Sequence, residues 1–171
     1  MRFIAILFLL LPLAACATLS EDECRGGDWE AIGVEDGAAG RTPDYIQKHA
    51  KACADFGIAP DPVLWERGRQ KGLPLYCRPA RAWEEGAEGR RLSPVCPAQQ
   101  QAELQRLNFR GLTYNRIGRD IEEAERQISR INAALSSLPP GDPERSALLS
   151  ERSFLRLEIV TLRAERSLYR Y

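Results

Sequence analysis

An apolar run at the start of the chain, closed by a small residue and a cysteine, constrains most strongly what this chain can fold into. Arg2 precedes an uncharged run over residues 3–13. A membrane-spanning helix needs about 20 apolar residues, so this run is too short to span and predicts a signal peptide over residues 1–15. The rest of the chain is therefore expected to fold in an oxidising compartment such as the periplasm, where cysteines pair.

The end of this run, Leu13-Ala14-Ala15-Cys16, resembles the lipobox of bacterial lipoproteins. The resemblance implies cleavage after Ala15 and lipidation of Cys16, with palmitate among the acyl chains, because one chain alone holds a protein only marginally to a membrane. Residues 16–23 would then form a lipidated, flexible tether. Ala17 in place of aspartate resembles the signal for export to the outer membrane, so we expect a lipid-anchored protein on its periplasmic face. The alternative is an ordinary cleaved signal, with Cys16 free or paired.

Five cysteines are an odd number for a secreted chain, and lipidation of Cys16 removes the oddness. Three connectivities are open to the other four, and we favour pairing of neighbours in the sequence, Cys24 with Cys53 and Cys77 with Cys96. Zinc is the competing use of four cysteines, but the sequence has no Cys-x-x-Cys pair of the kind that structural zinc sites use. We predict two disulfides, no metal and no cofactor.

Helix start and stop signals predict a small disulfide-stapled helical domain over residues 24–97. Four helices are expected: from Trp29, capped by Asp28, to Gly40; from Pro43, after Thr42, to Gly57; from Pro62, capped by Asp61, to Gly72; and from Arg81 to Ala87. Pro74 is expected to bar continuation of the third helix and to leave residues 75–77 extended.

Glycines in the first of these helices define a candidate groove formed by Trp29, Gly33, Gly37 and Gly40. Gly33 and Gly37 lie four residues apart, so they share one helix face, where another backbone can approach closely. Packing against a neighbouring helix is one explanation, and a ligand groove is the other. Tryptophan followed by glycine recurs at Trp65 and Trp83, but the drifting spacing does not indicate a repeat family.

Residues 98–171 predict a long antiparallel helical hairpin resembling a coiled coil. The break falls at Leu138-Pro139-Pro140-Gly141. In the second arm leucine or tyrosine recurs every seven residues at Leu148, Leu155, Leu162 and Tyr169. The hairpin could be a spacer, a packing partner for the small domain or an element for oligomerisation. The whole chain is thus expected to be all-α.

The sequence offers little support for catalysis. Basic and acidic residues balance at 24 each, without the concentrated basic face that nucleic-acid binding demands. His49 is the only histidine and is placed on an apolar helix face, and no Gly-x-Ser-x-Gly motif is present. Asp28, Glu35 and Asp36 could supply paired carboxylates for hydrolysis of wall sugars, although such carboxylates occur in nearly every soluble chain. We predict no catalytic residue.

Residues 24–97 resemble a bacterial family known as domain of unknown function 2799, found in small envelope lipoproteins. The matching residues are Asp28-Trp29, Gly33, Asp36-Gly37, Gly40, Cys53, Gly68-Arg69, Gly72-Leu73, Tyr76-Cys77, Gly86, Gly89 and Cys96-Pro97. The resemblance implies a lipoprotein with a four-cysteine domain and no established activity.

These observations predict a structural or protein-interaction role. The expected partners are the membrane, through Cys16, and either an envelope protein or a second copy of the chain, through the hairpin. The alternatives are an enzyme that acts on peptidoglycan and a module that binds a small ligand or inhibits another protein. An open cleft holding Glu35, Asp36 or His49 would favour the enzyme.

Overall fold

The computed structural model describes residues 18–171, and this part of the chain is all-α, as predicted, with no strand. The predicted signal peptide and Cys16 lie outside the described residues. The helices are α1 (Glu21–Gly26), α2 (Trp29–Ala38), α3 (Ile46–Cys53), α4 (Pro62–Tyr76), α5 (Pro79–Ala87), α6 (Ala98–Ser137) and α7 (Glu144–Ser167). Short 3-10 helices, Pro43–Tyr45 and Ala54–Phe56, flank α3.

The predicted caps begin two of the helices. The Asp28 carboxylate accepts from the Ala31 amide at 3.0 Å, and the Asp61 carboxylate accepts from the Val63 and Leu64 amides. Each bond satisfies backbone donors that have no partner inside the helix. Thr42 makes no side-chain cap bond, and the turn after it is 3-10 rather than α.

Helices α2 and α4 pack backbone against backbone along a seam of four glycines: Gly33, Gly37, Gly68 and Gly72. A Cβ placed on Gly37 would lie 2.1 Å from the Arg69 carbonyl oxygen, and one on Gly72 would lie 2.1 Å from that of Val34. No side chain fits at such distances. The candidate groove at Gly33 and Gly37 is therefore filled by α4, which supports the packing explanation over the ligand groove.

Helices α5 and α6 repeat this contact. A Cβ on Gly86 would lie 2.1 Å from the Asn108 carbonyl oxygen, and one on Gly111 would lie 2.2 Å from that of Trp83. Two helix pairs, α2 with α4 and α5 with α6, thus use the same glycine-mediated approach. We call them the first and second helix pair.

The equivalence of the two pairs extends to their corners. Residues 35–41 read Glu-Asp-Gly-Ala-Ala-Gly-Arg, and residues 84–90 read Glu-Glu-Gly-Ala-Glu-Gly-Arg. In each corner the second glycine has a positive φ, 70° at Gly40 and 82° at Gly89. The following carbonyl accepts a 3.0 Å bond from a buried side chain of the partner helix: Arg69 donates to Arg41, and Asn108 donates to Arg90. The structure therefore contains an internal repeat.

Both disulfides have the predicted connectivity. Cys24 pairs with Cys53 and Cys77 with Cys96, with Cα–Cα distances of 5.6 and 5.5 Å. The first links α1 to α3, and the second links the end of α4 to the segment before α6. Because all four cysteines are paired, none is free to act as a thiolate ligand.

The end of α4 differs from the prediction, and α5 begins at Pro79 rather than at Arg81. Helix α4 does not stop at Gly72 but continues through Pro74 to Tyr76, so the expected extended piece at residues 75–77 is wrong. Pro74 lies exposed in the last turn, where it removes a single backbone donor, and the Cys77 amide still bonds the Leu73 carbonyl at 2.9 Å. The first part of α6, which follows residue 97, is one half of the second helix pair.

The rest of α6 packs against α7 as the predicted antiparallel hairpin. Its core contains Ile117, Ile121, Ala124, Ile131 and Leu135 of α6 with Leu155 and Ile159 of α7. The end of the chain folds back onto the compact domain: the Trp83 indole donates to the Tyr169 carbonyl at 2.8 Å. Arg110 also donates to the Leu168 and Arg170 carbonyls. The hairpin is thus continuous with the domain rather than a separate rod.

The glycine seam predicts a large and local sensitivity to added side chains. Gly72→Ala should lower the free energy of unfolding by about 3 kcal/mol, at the upper end of overpacking costs, because the new methyl meets backbone that cannot yield. Gly26→Ala is the matched control, since nothing lies within 4 Å of its Cβ position. Urea unfolding followed by circular dichroism measures both variants, and equal stability would contradict the seam.

Candidate functional site

His49 belongs to a buried polar network rather than to an open site. Its Nε2 lies 2.7 Å from Asp36 Oδ2, and the same oxygen accepts from the Trp65 indole at 2.8 Å. His49 Nδ1 lies 3.0 Å from the Thr18 hydroxyl. His49 is 2% exposed and Asp36 is 8% exposed, so α2, α3 and α4 close over the network.

This geometry does not meet the condition set for an enzyme. Glu35 is exposed, whereas Asp36 and His49 are buried and occupied with one another. Asp28 caps α2, as expected. These groups do not share an open cleft in the part of the chain that the structure describes. A buried carboxylate bonded to two donors is typical of a structural network, because it satisfies polar groups that burial would otherwise leave unpaired.

The first residues that the structure describes are fixed to the domain. Thr18 contacts His49, and Leu19 is 7% exposed in the cluster around Trp29 and Trp65. Ser20 then caps α1 in a capping box with Glu23. Residues 18–23 were expected to belong to a flexible tether, but Thr18 and Leu19 pack onto the domain and Ser20 caps α1, which begins at Glu21.

The outer face of α7, together with its C-cap residue Leu168, carries an apolar stripe, which we define by Phe154, Leu157, Val160 and Leu168. Their side chains are exposed by 67, 66, 62 and 73%. They lie at helical spacings on the side of α7 away from α6, and Thr161 and Ala164 continue the same exposed face. Single exposed apolar residues are ordinary, but a periodic exposed stripe is typical of an interaction surface.

Charged residues of opposite sign border this stripe. Glu151, Glu158 and Glu165 recur every seven residues along one margin, and Arg156, Arg163 and Arg170 recur every seven along the other. None of the three glutamates forms an ion pair among the described residues. Glu151 accepts a bond from Gln127, and Arg163 pairs with Glu125 at 2.7 Å. Such margins beside an apolar stripe set the orientation of a paired helix.

This face was not predicted from the sequence, because the prediction rested on only one heptad pattern in α7. The residues at seven-residue spacing, Leu148, Leu155, Leu162 and Tyr169, all pack onto the hairpin core. A second pattern with alternating spacings of four and three residues runs through Phe154, Leu157, Thr161, Ala164 and Leu168. Two such patterns on one helix predict two covered faces, whereas the hairpin covers one.

Residues 28–112 match a family described as protein of unknown function (DUF2799). The match begins at the cap of α2 and ends within α6, so it spans both helix pairs and stops before most of the hairpin. Neither a curated protein nor a solved structure matches the chain. None of the helices in residues 18–171 has the length and apolar character needed to cross a membrane.

The polar network predicts different roles for two adjacent acids. Asp36→Ala should lower the free energy of unfolding by about 2–5 kcal/mol, because it leaves the His49 and Trp65 donors buried without an acceptor. Glu35→Ala, one residue away and exposed, should change it by no more than about 0.5 kcal/mol. Chemical denaturation compares the two variants, and similar losses would show that Asp36 has no special structural role.

Proposed function

Because this chain belongs to the DUF2799 family, whose members have no known function, we propose a role from its own features: an outer-membrane lipoprotein that faces the periplasm and self-associates. In this proposal a lipid on Cys16 holds the protein to the membrane. The outer face of α7 pairs with the same face of a second copy. The protein therefore serves a structural, protein-interaction role. The exposed stripe on α7 is the observation that carries this proposal.

Support for the anchor comes from the sequence around Cys16 and from the chemistry of the folded domain. Leu13-Ala14-Ala15-Cys16 has the pattern of a lipidation site, and Ala17 is not the aspartate that would favour retention in the inner membrane. Two disulfides fit an oxidising compartment. Since Thr18 and Leu19 are already packed, a lipid on Cys16 would hold the domain close to the membrane surface.

Support for self-association comes from the apolar area that α7 leaves uncovered. The exposed stripe extends from Phe154 to Leu168, which at 1.5 Å per residue is about 21 Å of helix. Burying exposed leucine and phenylalanine side chains contributes about 1.5–3 kcal/mol each, so pairing of two such stripes is favourable. The second copy would complete a four-helix arrangement, in which α7 is covered on both of its apolar faces.

The charged margins favour a parallel pair over an antiparallel one. In a parallel pair, the margin with Glu158 faces the partner's margin with Arg156 and Arg163. In an antiparallel pair, glutamates would face glutamates and arginines would face arginines, which is repulsive. Two copies anchored in one membrane also enter it from the same side, so their hairpins can run parallel. The charge pattern and the shared membrane anchor thus both support a second, parallel copy of the chain as the partner of α7.

The anchor is tested by changing the residues at and after the predicted cleavage site. In wild-type cells the protein should fractionate with the outer membrane, and its N-terminal peptide should carry the mass of acyl chains. Cys16→Ser should abolish that mass and membrane retention, whereas Ala17→Ser should preserve both. Ala17→Asp should move the protein to the inner-membrane fraction. An unmodified Cys16 in wild-type protein would refute the anchor.

Self-association is tested with single cysteines on α7 in the full chain. In a parallel, in-register pair, each stripe residue meets its own counterpart, so both Phe154→Cys and Leu168→Cys should give disulfide-linked dimers on non-reducing gels. Ser129→Cys, exposed on α6, is the control and should stay monomeric. Leu157→Asp added to either variant should suppress the dimer.

The pattern of crosslinks distinguishes a second copy of the chain from a different partner protein on the outer face of α7. Dimers at only one of the two positions would contradict the parallel register. A photoreactive residue at Leu157 that captures a different envelope protein, with no dimer at Phe154 or Leu168, would assign the face to a heterologous partner and overturn self-association.

A further inference from the structure

A cleft of about 550 Å³ lies between the two helix pairs, where their corners approach one another. It is formed by the segment between α2 and α3, the start of α3, the end of α4, one side of α5 and the segment after α5. Its charged lining consists of five basic side chains and one carboxylate: Arg41, Lys48, Arg81, Arg90, Arg91 and Glu85. The chain as a whole has no net charge, so this concentration of basic residues is local.

The single carboxylate in the lining is fully engaged. Glu85 is 6% exposed and accepts from Arg90 Nε at 2.6 Å and Nη2 at 3.1 Å. Arg81 Nη2 lies 2.6 Å from Glu85 Oε1, the oxygen that also accepts from Arg90 Nη2. The bond from Arg90 and the positive charges of Arg81, Arg90 and Arg41 hold the pKa of Glu85 below its usual range, despite burial. Glu85 therefore orients two guanidinium groups and leaves other N–H donors of both available.

Three of the basic residues have no carboxylate partner in the described part of the chain: Arg41, Lys48 and Arg91. Arg41 and Lys48 lie against the Tyr45 ring, 4.4 and 4.8 Å from its centroid. Stacking on an aromatic ring stabilises the position of a cation without neutralising its charge. Glu84 and Glu88 pair with Arg81 and Arg90 outside the lining, and the cleft retains an excess of positive charge even when both are counted.

A buried hydroxyl adds a neutral donor to the lining. Tyr76 is 2% exposed, and its oxygen accepts from the Ser93 amide at 2.9 Å. Its own O–H has no acceptor among residues 18–171. Burial raises the pKa of this hydroxyl, so the proton stays in place and can be donated.

The internal repeat explains why the arginines converge. Arg41 and Arg90 occupy equivalent positions, each just after the positive-φ glycine of a corner. Their carbonyls are held by Arg69 and Asn108, so both corner backbones are fixed while the two side chains extend into the lining. Two equivalent corners therefore present paired guanidinium groups to one space.

We propose that this cleft binds a phosphate-bearing ligand, held by Arg41, Arg90 and Arg91 with a bond from the Tyr76 hydroxyl. Guanidinium groups bind phosphate through two parallel N–H donors, and several of them can share its oxygens. A phosphate group also carries more negative charge and more acceptor oxygens than a single carboxylate. It can therefore pair with several cations that have no carboxylate partner and also accept a bond from the hydroxyl. The phosphate could belong to a lipid headgroup or to a free soluble compound.

Isothermal titration calorimetry of the full chain in a neutral detergent, with pyrophosphate as the probe, tests the proposal. Arg41→Gln with Arg91→Gln should weaken binding by about tenfold or more, since each removes a charge-assisted bond. The matched control is Arg106→Gln with Arg119→Gln, an equal charge change at exposed positions of α6 outside the cleft. Binding by this control should stay within about twofold of wild type, the span of an ordinary surface change.

A second arm identifies the source of the phosphate. Nanodiscs of phosphatidylglycerol and of phosphatidylcholine replace pyrophosphate, with the same two double variants. Because a lipid on Cys16 would hold wild type and variants alike to either lipid, the readout is the excess affinity for phosphatidylglycerol over phosphatidylcholine. An excess that is lost only in the Arg41 and Arg91 variant assigns the cleft to an anionic headgroup, whereas pyrophosphate binding alone assigns it to a soluble phosphate. Absence of binding in both arms, or equal loss in the two double variants, would overturn the proposal.

Discussion

Direct contact between helix backbones is the constraint on which the rest of the structure depends. In both helix pairs the Cβ position of a glycine lies about 2 Å from the partner's carbonyl oxygen, so the axes are as close as backbone atoms allow. Glycine in a helix costs about 1 kcal/mol relative to alanine. Close packing and the two disulfides offset this cost in a domain whose core is small. The same seams fix the ends of the helices, and those ends carry the polar features of the molecule.

The two pairs share their backbone scaffold but differ in how they use the buried acid before the packing glycine. Asp36 in the first pair accepts from His49 and Trp65, which closes that corner into a buried polar network that also contacts Thr18. Glu85 in the second pair accepts from arginines at the surface. The repeated scaffold therefore supports a structural network at one corner and a charged cleft at the other.

Local signals in the sequence predicted the helices and the disulfides. Apart from the hairpin, the packing of one helix against another was not predicted. Asp28 and Asp61 cap helices through bonds to nearby amides, which is information contained within a few residues. Pro74 led to a wrong prediction of the end of α4, because a proline in the last turn of a helix does not end it. The internal repeat was not predicted because the search for it compared the positions of the tryptophans. Trp65 of the first pair corresponds to Leu104 of the second pair, so the tryptophans do not occupy equivalent positions. The cationic cleft was equally invisible, since its residues come from segments that only the fold brings together.

The location of the proposed anchor connects these features. Leu19 belongs to the core of the first pair and Thr18 contacts His49, so a lipid on Cys16 would hold that corner beside the membrane with little intervening chain. Helix α6 starts in the second pair and extends about 60 Å, so the turn of the hairpin lies far from the seams. A second copy in the same membrane would then meet this one along α7 rather than through the compact domain. Association by α7 leaves both corners, and the cleft between them, accessible to a ligand.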